Sequence, residues 1–284
     1  PPPETDGTGG APATHAGAAL AVLEAAVTAA PAHAGAWAER LALAGAAAAL
    51  GRLGRPEDEA ALRDLIALGP DPTVGPAAPV AHAYLWLASG PVGTRWADLP
   101  DLVAGLGART GDAPAALAAA LTAAAALSCP LAAAATAGRA AVALRPGRAA
   151  LALWAADTAL ARWLDWPYGL PLVTLGLPPG APAPGSADAE HRLAAAVLRG
   201  SARALDQLAL LGRRAAALQA VRPRLRARPA DRVVDRLLAR DALSVAGVRA
   251  LIPERAARRL FERLVALGVL RELTGRTTSR LYGL

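Results

Sequence analysis

Long alanine-rich segments, each ended by proline or glycine, occupy most of this chain. One follows Ala13 and ends near Pro31, and a second runs from Trp37 to Leu50 and ends at Gly51. Alanine has the highest helix propensity, and its small side chain lets neighbouring helices approach closely. Hydrophobic residues make up 54% of the chain, whereas aromatic residues make up only 4%. These features predict an all-α body whose core is formed by closely packed helices.

Shifts in composition divide the chain into four segments. A chain of 284 residues accommodates one domain of about 200 residues and a smaller one. We expect a disordered leader over 1–12, a helical domain over 13–221, a basic junction over 222–230 and a small domain over 231–284. The leader lacks the basic start and the apolar core of a signal peptide, so we expect a cytoplasmic protein.

The least charged segment runs from Ala113 to Gly138 and is long enough to span a bilayer by residue count. Pro130 divides it, and alanine rather than leucine dominates it. Two buried helices packed as a hairpin explain this composition better than a membrane span. We therefore expect no membrane association.

The segment from Asp231 to Leu284 has the pattern of a winged helix-turn-helix. Its first apolar residues recur at helical spacing, which predicts a supporting helix that includes Val233, Val234, Leu237, Leu238 and Leu243. Ser244 is suited to cap a short second helix, which ends before Pro253. A third helix begins there and ends at Gly268, because glycine suits the left-handed conformation at helix ends.

The third helix separates apolar from charged side chains. Its apolar stripe consists of Ala257, Leu260, Phe261, Leu264 and Leu267. The opposite face carries Arg255, Arg258, Arg259, Glu262 and Arg263. The sequences VLREL and SRLYGL follow, separated by a glycine-containing turn, and they predict a two-stranded wing.

This tail resembles the winged-helix ends of several bacterial families, most closely at LVALGVLRELTGR and RLYGL. Similar tails close Fic-type proteins. The Fic catalytic signature HPFxxGNGR is absent, and the chain contains no asparagine, so the resemblance does not imply that activity.

Two body segments carry a wider resemblance, WAERLALAGAAAALGRLGRPEDEAALRD at Trp37 to Asp64 and LALWAADTALARWLDWP at Leu151 to Pro167. Together with the tail, they resemble the 1403 family of domains of unknown function. The resemblance implies an alanine-rich helical body that ends in a winged helix. It implies no activity.

Positive charge is concentrated in the last quarter of the chain. From Arg222 onward there are 15 arginines and 6 acidic residues, a net charge of +9, whereas the preceding residues contribute −2 to the total of +7. A codon bias toward arginine would affect body and tail alike, so it does not explain this asymmetry. A polyanion that contacts only the tail does explain it. The arginines from Arg222 to Arg228 could follow a phosphate backbone or solubilise a hinge.

We predict that the tail binds double-stranded DNA, as in a transcription regulator. In a helix-turn-helix the third helix enters the major groove, with its N-terminal residues nearest the bases. The candidates for guanine contacts are therefore Arg255, Arg258 and Arg259. The candidates for phosphate contacts are Arg263, Arg276 and Arg280. A homodimer would supply a second half-site.

Two alternatives remain open for the tail. The winged helix could bind another protein or mediate dimerisation instead of binding DNA. Its arginines could also be solvated and paired along their own helix, as the four-residue spacing of Glu254 and Arg258 allows.

The body lacks the common catalytic and metal-binding motifs. Without lysine, the chain has neither a Walker A loop nor Schiff-base chemistry. Cys129 is the single cysteine, and the four histidines lack metal-ligand spacing. The acidic run from Glu57 to Glu59 fits a helix start, with Glu59 four residues before Arg63. We predict no metal site and no cofactor, and an enzyme in the body has the least support.

Asp157 is the body residue with the clearest functional interpretation. Helical spacing places it on one face with Trp154, among apolar neighbours, and a buried carboxylate requires a partner. It could be a ligand-binding or catalytic acid in a pocket walled by Trp154 and Trp166. It could instead form an internal hydrogen bond or salt bridge that fixes helix packing. The proline- and glycine-rich stretch from Trp166 to Ser186 is predicted to be a loop or linker.

Overall fold

Helices account for most of the computed structural model, which describes residues 10–68, 75, 77–108, 111–145, 147–184, 189–225, 228–274 and 280–284. The first helices are α1 (Gly10–Thr28), α2 (Ala34–Gly51), α3 (Glu59–Leu68), α4 (Ala77–Ala88), α5 (Leu99–Gly105) and α6 (Ala113–Ala125). They are followed by α7 (Pro130–Leu144), α8 (Ala149–Trp163), α9 (Leu172–Gly176), α10 (Ala189–Val221), α11 (Arg228–Ala239) and α12 (Glu254–Ala266). The strands are β1 (Leu243–Ser244), β2 (Arg271–Glu272) and β3 (Leu281–Gly283). The predicted all-α class is confirmed.

The central helix of the body is α8. Every residue from Ala150 to Ala161 is buried, because α2, α4, α6, α7 and α9 all pack against this helix. Alanine occupies six of these positions, which allows the close approach expected from the composition.

Two tryptophans join helices at the core. Trp37 of α2 is fully buried, and its Nε1 donates a hydrogen bond to the carbonyl oxygen of Ala204 in α10 at 2.9 Å. Trp154 of α8 is also fully buried, and its Nε1 donates to the carbonyl oxygen of Ala83 in α4 at 3.0 Å. Each side chain therefore buries a large apolar surface while its one polar group remains hydrogen-bonded.

The starts of two early helices differ slightly from the predictions. The first helix begins at Gly10, so part of the predicted leader over 1–12 is helical. The third begins at Glu59, the last residue of the acidic run that was predicted to start it, and the Oδ1 of Asp58 accepts a hydrogen bond from the backbone N–H of Ala61 at its first turn. Burial raises the pKa of Glu59, and Arg63 is close enough to oppose that rise, as the four-residue spacing predicts. The Nε of Arg63 also donates a hydrogen bond to Asp241 of the tail.

The uncharged segment from Ala113 to Gly138 forms parts of two helices, α6 and α7, which pack against each other and against α8. Within the described ranges, no helix combines the length and the hydropathy that crossing a membrane would require. Both observations agree with the predicted hairpin.

The stretch that was predicted to be a loop or linker is buried over its first half. Residues 169–177 are buried and contain α9, which packs against α10. A Cβ atom on Gly176 would lie 1.8 Å from the carbonyl oxygen of Ala196, and a Cβ on Gly200 would lie 2.0 Å from that of Leu172. The two helix backbones are therefore in direct contact, which only glycine permits. The linker prediction was wrong here because composition alone does not show this contact.

The tail has the order helix, strand, turn, helix, strand, strand. Its antiparallel sheet has the strand order β1-β3-β2, so a third strand joins the predicted pair. The predicted second helix is reduced to a 3₁₀ turn over Ala246–Val248, where Ser244 Oγ accepts a hydrogen bond from the N–H of Gly247 at 3.0 Å. Phe261 of α12 packs on Tyr282 of β3 with ring centroids 4.8 Å apart.

Buried ion pairs attach the tail to the body. The Asp241 carboxylate accepts hydrogen bonds from Arg40 Nε at 2.5 Å and from Arg63 Nε at 2.6 Å. The three residues are 3%, 8% and 8% exposed, respectively. Arg40 Nη1 also donates to the carbonyl oxygen of Leu284 at 2.9 Å. These contacts join α2 and α3 to both the turn after α11 and the end of β3.

Candidate functional site

The exposed face of α12 carries four arginines. Arg255, Arg258, Arg259 and Arg263 are exposed, as the helical pattern predicts. The opposite face buries Ala257, Phe261 and Leu264 completely. Leu267 departs from the predicted apolar stripe, because it follows the last helical residue and is 44% exposed.

Two of the predicted DNA-contacting arginines have an acidic partner. Arg258 Nη2 donates a hydrogen bond to Glu254 Oε1 at 2.8 Å, and this bond lowers the pKa of Glu254 below its ordinary value. Arg280 Nη1 lies 3.5 Å from Glu272 Oε2. All four side chains of these pairs are at least one third exposed. Because water screens exposed pairs, a phosphate could replace either carboxylate at little cost.

The other arginines of α12 have no carboxylate partner among the described residues. Arg259 Nε lies 3.4 Å from the carbonyl oxygen of Arg255, and Arg263 Nη2 lies 3.3 Å from that of Arg224. Arg255, Arg259 and Arg263 therefore keep most of their donors for an external anion. Arg276 lies outside the described residues.

Two further exposed arginines lie in the segments that precede and follow α12. Arg249 follows the 3₁₀ turn before α12, and Arg271 begins β2. Neither was singled out from the sequence, although Arg271 is in the predicted wing. Arg249 is close enough to α12 to help Arg258 lower the pKa of Glu254, whereas Arg271 is close to Arg214 of α10. We define the basic surface as the arginines of α12 together with Arg249 and the predicted phosphate-contacting Arg280: Arg249, Arg255, Arg258, Arg259, Arg263 and Arg280.

The basic junction is partly neutralised. Arg222 Nε donates to Asp231 Oδ1 at 3.0 Å, and Arg222 Nη1 donates to Asp235 Oδ1 at 2.7 Å. Both acids are in α11, so this arginine holds the start of the tail against the end of α10. Arg222 therefore has fewer free donors for a phosphate backbone than its sequence position alone suggests.

Comparison with known protein families finds one whose model covers both the helical body and the tail. The model of the family described as Protein of unknown function (DUF1403) matches residues 3–284. The chain belongs to this family. The match confirms the resemblance predicted from the body segments and the tail. No curated protein and no solved structure matched the chain.

Asp157 of this DUF1403 member is completely buried and hydrogen-bonded. Its Oδ1 accepts from the backbone N–H of Val173 at 2.7 Å, and its Oδ2 accepts from the N–H of Thr174 at 3.3 Å and from Thr174 Oγ1 at 2.5 Å. Thr174 Oγ1 also lies 2.8 Å from the hydroxyl of Tyr84. The carboxylate thus caps the first turn of α9, where free N–H groups need an acceptor.

The two tryptophans proposed as pocket walls have other contacts. Trp154 is bonded to α4, whereas Trp166 donates its Nε1 hydrogen to Glu24 of α1. Trp166 lines a cavity of about 300 Å³ together with Arg162 and Asp165. These contacts and the burial of Asp157 support the interpretation that this carboxylate fixes helix packing. Among the described residues, no group of three or more His, Cys, Asp or Glu side chains is arranged to hold a metal ion.

Asp157 should give the protein a distinctive pH dependence of stability. Burial raises its pKa from 3.8 to about 7, against the opposing effect of its hydrogen bonds. The folded state therefore holds a proton that the unfolded state releases, and the free energy of unfolding decreases as pH rises from about 4 to about 7. At roughly 1.4 kcal/mol per pKa unit, the decrease is on the order of 4 kcal/mol.

Urea unfolding of wild type and Asp157→Asn between pH 4 and 8 tests this expectation, since asparagine cannot titrate. As pH rises, the free energy of unfolding of wild type should fall relative to that of Asp157→Asn. Asp101→Asn, at an exposed position on α5, controls for the loss of one carboxylate. Parallel pH profiles for wild type and Asp157→Asn would contradict the assignment.

Proposed function

We propose that the tail is a winged helix that binds double-stranded DNA through α12. The supporting observation is the basic surface, and above all the four arginines on the face of α12 opposite its buried side. The order of elements and the β1-β3-β2 sheet fit this proposal. The surplus of arginine in the tail supplies the positive charge that a phosphate backbone attracts.

The size and position of α12 suit the major groove. The helix has 13 residues and is amphipathic, and the major groove of B-DNA admits one α-helix. In the proposed complex, Arg255 and Arg259 contact guanine edges directly. Arg258 does so after it leaves Glu254. Arg263 and Arg280 contact phosphates, and Arg249 adds a phosphate contact before the helix.

The attachment of the tail leaves this surface accessible. The contacts with the body include those of α11, which packs on α2 and α10, and those of Asp241 and Leu284. Arg263 of α12 contacts the carbonyl oxygen of Arg224, between α10 and α11. The four arginines of α12 remain exposed in the presence of the body. A duplex can therefore approach α12 without displacement of the tail.

Replacement of these arginines should separate base recognition from phosphate contact. We expect Arg259→Gln to lower affinity for a selected duplex about tenfold, within the roughly 1–3 kcal/mol of a bidentate guanine contact, and to relax base preference. Arg280→Gln should weaken binding similarly on all duplexes and reduce the slope of log affinity against log salt by about 1. Fluorescence anisotropy over a salt titration, with duplexes enriched from a random pool, measures both effects.

Arg139→Gln is the matched control, because Arg139 is an exposed arginine of α7 whose Nη2 contacts Thr136. It should bind DNA as wild type does. The proposal fails if wild type shows no salt-dependent binding, or if the control loses as much affinity as Arg259→Gln.

A second candidate role is dimerisation through the end of α12. Val265 and Leu267 are 37% and 44% exposed there, so the end of this helix offers two apolar side chains to a second copy of the chain. Sedimentation velocity of wild type and Leu267→Glu decides this question. A dimer that dissociates in the variant supports this role, whereas a monomer in both proteins excludes it.

A further inference from the structure

A cavity of about 680 Å³ opens on the body, far along the chain from the basic surface. It lies between the end of α2, the segment from α9 to Gly180, and one face of α10. Three of its lining residues are arginines, namely Arg52, Arg199 and Arg203, and the others are uncharged. Small-molecule sites in proteins occupy roughly 300–1,000 Å³, so this cavity has the size of a binding site.

The three arginines are positioned by backbone carbonyl groups. Arg52 donates hydrogen bonds to the carbonyl oxygens of Leu177 and Ala181 at 3.0 and 2.9 Å. Arg199 Nε donates to Gly176 at 2.7 Å, and Arg203 Nη1 donates to Leu175 at 2.8 Å. These carbonyls belong to the last turn of α9 and the residues after it. The guanidinium groups are therefore held by the main chain.

Donors remain free after these bonds. A guanidinium group has five N–H donors, and the bonds above use only one from Arg199 and one from Arg203. The two residues are four positions apart on α10, so their side chains lie on the same face of the helix, one turn apart. Both can donate to one oxygen-rich group.

None of the described residues that line the cavity is Asp or Glu, so the lining itself holds no carboxylate. Within the described part of the chain, no Asp or Glu is at ion-pair distance from Arg52, Arg199 or Arg203. Burial raises the pKa of Glu59, which does not line the cavity, and Arg203 is close enough to that carboxyl to oppose the rise. Burial lowers the pKa of Arg52, which shows that its charge is partly removed from water. Three like charges around one cavity repel one another, and an anion would relieve that repulsion. The apolar lining, which includes Leu177, Pro179 and Ala202, favours a ligand with an apolar part.

We propose that this cavity binds a small organic anion, in which a phosphate or carboxylate group is attached to an apolar body. Arg199 and Arg203 bind the anionic group, because the planar fork of a guanidinium matches two oxygens of either group. Arg52 adds charge and fixes the segment after α9. The apolar body lies against the leucine and proline side chains of that segment. This proposal is independent of DNA binding by the tail.

Isothermal titration calorimetry of the full chain tests the proposal with four probes: hexyl phosphate, hexanoate, 1-hexanol and inorganic phosphate. We expect at least one of the two amphipathic anions to bind about tenfold more tightly than both 1-hexanol and inorganic phosphate. The tighter of the two identifies the preferred anionic group. Equal affinity for the hexyl anions and 1-hexanol overturns the proposal, as does the absence of binding by all four probes.

Three variants and one control test whether the anion binds in this cavity. Arg199→Gln and Arg203→Gln should each weaken binding of the preferred anion about tenfold, as loss of a charge-assisted hydrogen bond predicts. Ala202→Leu keeps every charge but fills part of the cavity, so it should also weaken binding. Arg139→Gln, on α7, should bind as wild type does. Wild-type affinity in both arginine variants and in Ala202→Leu overturns the assignment to this cavity.

Discussion

Asp241→Ala should lower the free energy of unfolding by about 3–5 kcal/mol, because it leaves two buried arginines without their shared counterion. Arg40 and Arg63 are each 8% exposed, and both direct Nε at the Asp241 carboxylate. Total stabilities of about 5–15 kcal/mol are usual, so this loss is a large part of the whole. We also expect the tail to become sensitive to proteolysis, since the affected contacts attach it to the body.

Chemical denaturation, with limited proteolysis alongside it, measures both effects. Asp235→Ala is the matched control, because Asp235 also pairs with an arginine, Arg222, but its side chain is 59% exposed. An exposed pair contributes about 0–1 kcal/mol, so the control should be nearly as stable as wild type. Equal losses in the two variants would show that the buried cluster has no special role. A triple replacement, Arg40→Met, Asp241→Leu and Arg63→Met, should recover much of the lost stability, because it removes the buried charges altogether.

Gly200→Ala should destabilise the protein by about 3 kcal/mol or more, at the upper end of the cost of overpacking. A Cβ at this position would lie 2.0 Å from the carbonyl oxygen of Leu172, and main-chain atoms cannot move aside as a flexible side chain can. Gly200 is inside the long helix α10, where helix propensity alone predicts that alanine stabilises by about 1 kcal/mol. A loss of stability would therefore indicate direct contact between α9 and α10, whereas a gain would indicate that helix propensity alone determines the effect.

Gly17→Ala is the control for propensity. Gly17 lies within α1, and nothing is within 4 Å of the position that its Cβ would occupy. Thermal and urea unfolding should show this variant to be as stable as wild type or up to about 1 kcal/mol more stable. A stabilising Gly200→Ala would mean that α9 does not contact α10 as described.

Local periodicity was sufficient to predict much of the tail. Val233, Val234, Leu237 and Leu238 are all buried in α11, and the arginines of α12 lie on its exposed face. Such predictions succeed because amphipathic spacing depends only on neighbours three and four positions away. Leu243 was wrongly assigned to the first helix of the tail, because α11 ends at Ala239 and Leu243 is in β1. The exposed Leu267 shows the limit, since the helix ends before it and the spacing no longer applies.

Contacts between distant residues were not predictable in the same way. The buried α9 lies in a sequence rich in proline and glycine, and its burial depends on the glycines that allow it to contact α10. Asp157 was correctly expected to need a partner, but that partner is the main chain of α9. The arginines of the cavity come from α2 and α10, so no local pattern brings them together.

The distance along the chain between Arg40 and Asp241, which is 201 positions, has a consequence for synthesis. At roughly 5–20 residues per second, a ribosome needs roughly 10–40 s to extend the chain from one residue to the other. During that interval Arg40 and Arg63 lack their carboxylate and must stay hydrated. Water therefore remains in the interior between α2 and α3 on the nascent chain until Asp241 has been synthesised and can pair with both arginines.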